Sequence, residues 1–158
     1  MTRRSHPAQR QYQSTMDVPY GTAHCLAMES PTGRMAKARP LLSVVDDDES
    51  VRESLPGLLG ELGFAVRTFS SARDFLSSGC VDETNCLILD IAMPGISGAE
   101  LQQELERRGK EVPIIFITGQ RDETVRARVL KQGAAGFLLK PFSDADLLAA
   151  ITTALRYT

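Results

Sequence analysis

Three cysteines among 158 residues are too few, and too irregularly placed, to build a disulfide or metal framework. Cys25, Cys80 and Cys86 are odd in number and lack paired ligand spacing, so they are expected to be free thiols in a reducing compartment, which points to the cytoplasm. No apolar run approaches the roughly 20 residues that cross a bilayer, so no helical membrane span is expected. The first residues lack the apolar stretch and small-residue site of a secretory leader. Positive charge is also scarce in the body of the chain. Residues 1–40 carry six Lys and Arg against two acids, whereas residues 41–158 carry twelve against eighteen. An acidic body argues against direct contact with nucleic acid. Finally, the first apolar run is not followed by the Gly-, Ser- and Thr-rich loop with which nucleotide and flavin binders cradle phosphate.

What is present begins after a tail. Residues 1–40 show no periodicity and are rich in Ser, Pro, Gly, Gln and Arg, the composition of a basic disordered segment. From residue 41 onward, short apolar runs alternate with amphipathic stretches. "LLSVVD", "FAVRTF", "CLILD", "PIIFIT" and "AGFLL" have strand character. Between and after them, helical spacing places Val51, Leu55, Leu58, Leu59 and Leu62 on one face, then Ala72, Phe75 and Leu76, then Leu101 and Leu105. A fourth helix lies in "DETVRARVLKQG", and a last one starts at Ser143 and carries Leu147, Leu148, Ile151 and Leu155. Gly63 and Gly109 stand where helix C-caps favour glycine, and Ser97 with Glu100 has the spacing of a capping box. Pro56 falls inside the first helix, where a kink is expected. Strands that are apolar throughout are buried on both faces. The chain is therefore expected to fold as a doubly wound α/β domain, a five-stranded parallel sheet with five helices.

In such a sheet, ligands bind beyond the carboxyl ends of the strands, where the strand order reverses. Asp46 and Asp47 follow the first strand, Asp90 ends the third, Thr118 ends the fourth and Lys140 follows the fifth. A 2-1-3-4-5 order would bring the three carboxylates together. Two carboxylates about 4 Å apart repel by roughly 4 kcal/mol at an effective dielectric of about 20, so such a cluster shares protons or binds a cation. An all-oxygen set with open positions suits Mg2+, assisted by Lys140. Asp48 and Glu49 are expected only to cap the first helix and favour its dipole. In the fourth helix, Ala127, Leu130 and Ala134 are expected to face the core and Val125 and Val129 to point outward.

"VVDDDES", "LILDIAMPGISGAEL", "IIFITGQ" and "GFLLKPF", in this order and spacing, resemble the receiver domain of two-component response regulators, most closely the FixJ-like subgroup. The resemblance covers residues 41–158 and implies the flavodoxin-like strand order 2-1-3-4-5. It implies that Asp90 accepts a phosphoryl group from a sensor histidine kinase, with Asp46 and Asp47 as the acid pair. Mg2+ would be held by Asp47, Asp90 and the backbone carbonyl of Ala92. Thr118 would be the switch hydroxyl, Phe137 the switch aromatic and Lys140 the phosphoryl-binding lysine before a cis proline. It also implies a phosphorylation-dependent partner face formed by the fourth helix, fifth strand and fifth helix, which would engage a downstream protein or a second copy. Ala92 and Gln120 depart from the common pattern at positions that influence autodephosphorylation. An aspartate-nucleophile phosphatase is disfavoured, because Ala92 stands where such enzymes carry a second acid. The chain ends directly after the fifth helix, which favours a stand-alone receiver, relay or phosphoryl sink over the receiver portion of a longer DNA-binding regulator.

Overall fold

Five runs rich in Val, Ile, Leu and Phe become strands, and the five amphipathic stretches between and after them become helices. In the computed structural model, which describes residues 39–156, the strands are β1 (Leu41–Val45), β2 (Ala65–Phe69), β3 (Cys86–Asp90), β4 (Ile114–Thr118) and β5 (Gly136–Leu139). The helices are α1 (Glu49–Glu61), α2 (Ala72–Ser77), α3 (Gly98–Arg107), α4 (Glu123–Lys131) and α5 (Asp144–Arg156). All strand pairs are parallel and the order is β2-β1-β3-β4-β5, as expected from the sequence. The order reverses between β1 and β3, so the loops leaving those strands diverge and open a crevice at their carboxyl ends. The tail assigned to residues 1–40 lies almost wholly outside the described residues, as does Cys25.

Two core layers sandwich the sheet. On one face, Phe75 of α2, Leu101 and Leu105 of α3 and Val129 of α4 cluster with Leu87, Leu89 and Phe116. On the other, Leu55 and Leu59 of α1 and Leu147 and Ile151 of α5 cluster with Val44, Ile88, Ile115 and Ile117. Alternate strand residues point to opposite faces, which is why β1, β3 and β4 are buried at every position. Burial on both faces holds only for those three. β2 is half-buried toward its end and β5 along its whole length, because an edge strand has a neighbour on one side only.

Helix ends follow the expected chemistry. Gly63, at φ 100°, donates its N–H to Gly60 O while Phe64 N–H reaches back to Leu59 O, each at 3.1 Å, a pairing that consumes carbonyls left over at the end of α1. Ser97 and Glu100 form a reciprocal capping box at α3. α1 continues through Pro56, whose missing N–H leaves the Arg52 carbonyl without its helical donor.

Three expectations need correction. Leu62, placed on the apolar face of the first helix, is 41% exposed, because α1 has already ended at Glu61. Cys80 is not a free thiol but disulfide-bonded, since an odd count does not preclude one pair, whereas Cys86 is free and buried. In α4 the assignment of faces is inverted. Val129 is fully buried and Val125 packs on the same cluster, while Ala127 is exposed. α4 stops at Lys131 and Gly133 turns the chain at φ 103°. Leu130 is half-buried, and Ala134, beyond the turn, does pack on the core cluster as expected.

Candidate functional site

Every polar residue singled out at a strand end lies at the carboxyl edge of the sheet. Asp46, immediately after β1, is fully buried. Its side chain accepts the Asp48 N–H at 2.9 Å through Oδ1 and pairs with Lys140 Nζ at 3.0 Å through Oδ2. Its backbone is held as well, the N–H donating to Phe69 O at 3.1 Å and the carbonyl accepting from Arg52 Nη1 at 3.0 Å. Asp47 is exposed, whereas Asp90, the last residue of β3, is 5% exposed. Carboxylate oxygens of Asp46, Asp47 and Asp90 all lie within 4.8 Å of one another. Neighbouring carboxylates at this range repel, and burial removes the water that would screen them.

The remaining residues close around that cluster. Thr118 ends β4, is buried, and follows Ile117, the residue that pairs with Asp90 in the sheet. Its Oγ1 accepts the Gln120 N–H at 3.1 Å and its carbonyl accepts the Lys140 N–H at 2.8 Å. Lys140 is thus tied to β4 by its backbone and to Asp46 by its ammonium, and its bond to Pro141 is cis. Phe137 pairs with Phe116, which shares a strand face with Thr118, and the Arg126 guanidinium stands 5.7 Å from the centre of its ring. Ala92 lies exposed on the β3–α3 loop. Asp48 is outside the cluster and caps α1 through Ser50 N–H at 3.0 Å, as expected of it. Sequence reasoning missed Arg52 and Arg126. Arg52 carries no spacing signal, because its bond goes to a backbone carbonyl that any residue offers.

The donor set fits a hard divalent cation. All candidate ligands are oxygens, exposed Asp47 leaves room for water, and one lysine against three carboxylates leaves two negative charges to offset. Burial, and then the charge of Asp46, pushes the Asp90 carboxyl up to about 7, with Lys140 opposing. The cluster therefore binds a proton near neutrality when it has no cation to bind.

Residues 42–152 match the response regulator receiver domain family. Nodulation protein W of Bradyrhizobium diazoefficiens is 45% identical over 119 residues, spanning 75% of this chain and 52% of that protein. The transcriptional regulatory protein FixJ of Azorhizobium caulinodans is 46% identical over 112 residues, spanning 71% of this chain and 53% of that protein. The crystal structure of FixJ-N is similar with a TM-score of 0.69 at 36% identity, over 75% of this chain and 95% of that one. The chain spans about half the length of the curated relatives it matches. With its parallel 2-1-3-4-5 sheet and an acidic pocket at the switch point, the chain belongs to the response regulator receiver domain family of two-component signalling and is FixJ-like within it.

Proposed function

We propose that residues 41–158 form the receiver unit, outside the tail of residues 1–40, and that Asp90 is its phosphoacceptor, loaded by a sensor histidine kinase in the cytoplasm. The observation that carries this reading is the meeting of Asp46, Asp47 and Asp90 within 4.8 Å beside the ammonium of Lys140. A carboxylate oxygen of Asp90 attacks phosphorus, the P–N bond to the kinase histidine breaks, and the imidazole leaves with the electron pair. Catalysis of this kind is positioning plus neutralisation of charge on the transferring oxygens. Lys140 supplies one positive charge. Asp47, Asp90 and the backbone carbonyl of Ala92 would hold Mg2+, which supplies the rest when bound. Thr118 then donates its hydroxyl to the phosphoryl group and Phe137 turns inward, a two-state change biased by phosphorylation. The domain thereby catalyses its own phosphorylation and dephosphorylation, and Ala92 and Gln120 set how long the phosphoryl group survives.

Incubation with acetyl phosphate and Mg2+ tests this directly. Wild-type chain takes up a hydroxylamine-sensitive label, and either Asp90→Ala or chelation of Mg2+ abolishes it. Full-rate labelling of Asp90→Ala would overturn the assignment.

The switch reads out through α4, β5 and α5. A cleft of about 360 Å³ there is lined by Arg121, Asp122, Glu123, Arg126, Phe137 and Asp146 among others, so charges of both signs share it. This mixed-charge surface supports phosphorylation-dependent binding of a downstream protein or a second copy. The acidic domain itself contacts no nucleic acid and no membrane in this reading. A second reading of the output is favoured by the lengths and names of the relatives, two of which are about twice as long as the matched region and named transcriptional regulators. In that reading the segment is the receiver portion of a DNA-binding regulator. Mapping the transcript and reading frame past Thr158 distinguishes it from a stand-alone receiver or phosphoryl sink.

A further inference from the structure

We infer that Gly98 is a positioning residue for the acceptor site, because only a residue without a side chain lets α3 start against the Asp90–Ile91 backbone. Gly98 is the first residue of α3 and is buried. A Cβ built on it would lie 2.5 Å from the Asp90 carbonyl oxygen, 2.9 Å from Ile91 Cα and 3.2 Å from the Asp90 carbonyl carbon. Carbon and oxygen atoms do not approach that closely without a bond, so something must move.

Neither partner is free to give way. The start of α3 is fixed by the capping box, in which Ser97 Oγ accepts the Glu100 N–H at 3.2 Å and Glu100 Oε1 accepts the Ser97 N–H at 2.9 Å. The other side is held by the sheet, since Ile91 N–H donates to Ile117 O at 3.1 Å and Ile91 O accepts the Gly98 N–H at 2.9 Å. The atoms that meet the added methyl are main chain, which cannot rotate aside as the end of a long side chain does. The strain falls on the peptide joining Asp90 to Ile91. That peptide positions the Asp90 carboxylate and leads directly into Ala92, so two members of the proposed Mg2+ ligand set shift together. Gly98 has no positive φ, so its role is space and not backbone freedom. Alanine would otherwise favour the helix.

The inference rests on the reading of Asp90 as acceptor, and the experiment keeps the two apart. Binding of MgCl2 to the full chain is measured by calorimetry, and acetyl phosphate labelling is followed across a Mg2+ series. Gly98→Ala is expected to weaken Mg2+ binding roughly 10- to 100-fold and to raise the half-saturating Mg2+ for labelling in parallel, with labelling recovering as Mg2+ is increased. Gly57→Ala, at a glycine of α1 with open space around it, keeps wild-type values. Circular dichroism reports whether Gly98→Ala is folded at the assay temperature. Should it not fold, Glu100→Ala unlocks the cap and shifts the same junction, and is expected to weaken Mg2+ binding by a smaller factor. Unchanged Mg2+ affinity in folded Gly98→Ala, or in Glu100→Ala where the first variant is unfolded, overturns the inference. Wild-type chain that binds Mg2+ yet takes no phosphoryl group overturns the acceptor reading and leaves the calorimetric test of Gly98 standing.

Discussion

Burial and the negative charge of Asp46 hold a proton on Asp90 up to about pH 7, against an ordinary value of 3.8, with Lys140 opposing. Lys140 responds in the complementary sense. Burial works against its charge, but the hydrogen bond to Asp46 and the charges of Asp90, Asp46 and Asp48 leave its pKa raised. The sign of the stability effect follows for Asp90. A carboxyl whose folded pKa is raised contributes stability that is fully present below about 3.8 and is lost as the pH rises through about 7. Without a divalent cation, wild-type chain should therefore lose stability between about pH 4 and 7 relative to Asp90→Asn. Discounted for the solvent that reaches the site beside exposed Asp47, the difference is on the order of 1–2 kcal/mol. Urea midpoints in chelator at several pH values measure it, and parallel curves for the two proteins would contradict the electrostatic picture. Cys86 makes a separate case. Burial pushes its thiol up to about 12, and the residue has no exposed surface. Thiol-directed reagents at neutral pH should reach it only through unfolding, so its modification rate should rise with denaturant and level off with reagent concentration.

At the scale of elements, α4 shows how a short helix is oriented by its neighbours. Val125 and Val129, one turn apart, seat it on the core layer that also holds Leu101 and Phe116, while Arg126, Arg128 and Lys131 face outward. Val129→Ala removes fully buried methyl groups and should cost about 2 kcal/mol of unfolding free energy. Ala127→Gln, on the exposed side, should stay within about 0.5 kcal/mol of wild type. Denaturant titrations of the two variants decide between the faces, and the reverse ranking would restore the outward-valine arrangement. The same helix carries Arg126 across the ring of Phe137. A rotation of that aromatic would break this contact and release the Arg126 guanidinium.

For the molecule as a whole, the parallel order gathers the acidic pocket at one edge of the sheet, and the proposed recognition face adjoins it. Lys140 and Phe137 sit on consecutive parts of one chain segment, so a change at the acidic pocket has a short path to the α4–β5–α5 surface. Basic α4 and the acidic start of α5, with Asp144 and Asp146, make that surface self-complementary in charge. Arg126→Glu should weaken association of the phosphorylated or beryllofluoride-treated chain roughly tenfold, and Asp146→Lys should do the same. A mixture of the two variants should associate better than either alone. Sedimentation velocity measures all three, and association indifferent to both reversals would remove this face as the site of self-contact.

The alternation of apolar runs and amphipathic stretches was enough to determine the sheet, its parallel sense and the strand ends at which Asp46, Asp90, Thr118 and Lys140 collect, because period and side-chain polarity are local properties of the chain. Helix ends were equally legible at Gly63 and Ser97, where the cap chemistry lies within a few residues. Only the tertiary structure decided which face of α4 is inward, because so short a helix offers two apolar stripes and the neighbouring elements choose between them. The same holds for Arg52 on the Asp46 carbonyl, Arg126 over Phe137, and the clearance at Gly98. Each is a contact between a side chain, or the lack of one, and an atom distant along the chain or common to every residue. Such contacts leave no periodic trace in a sequence and exist only once the backbone has closed on itself.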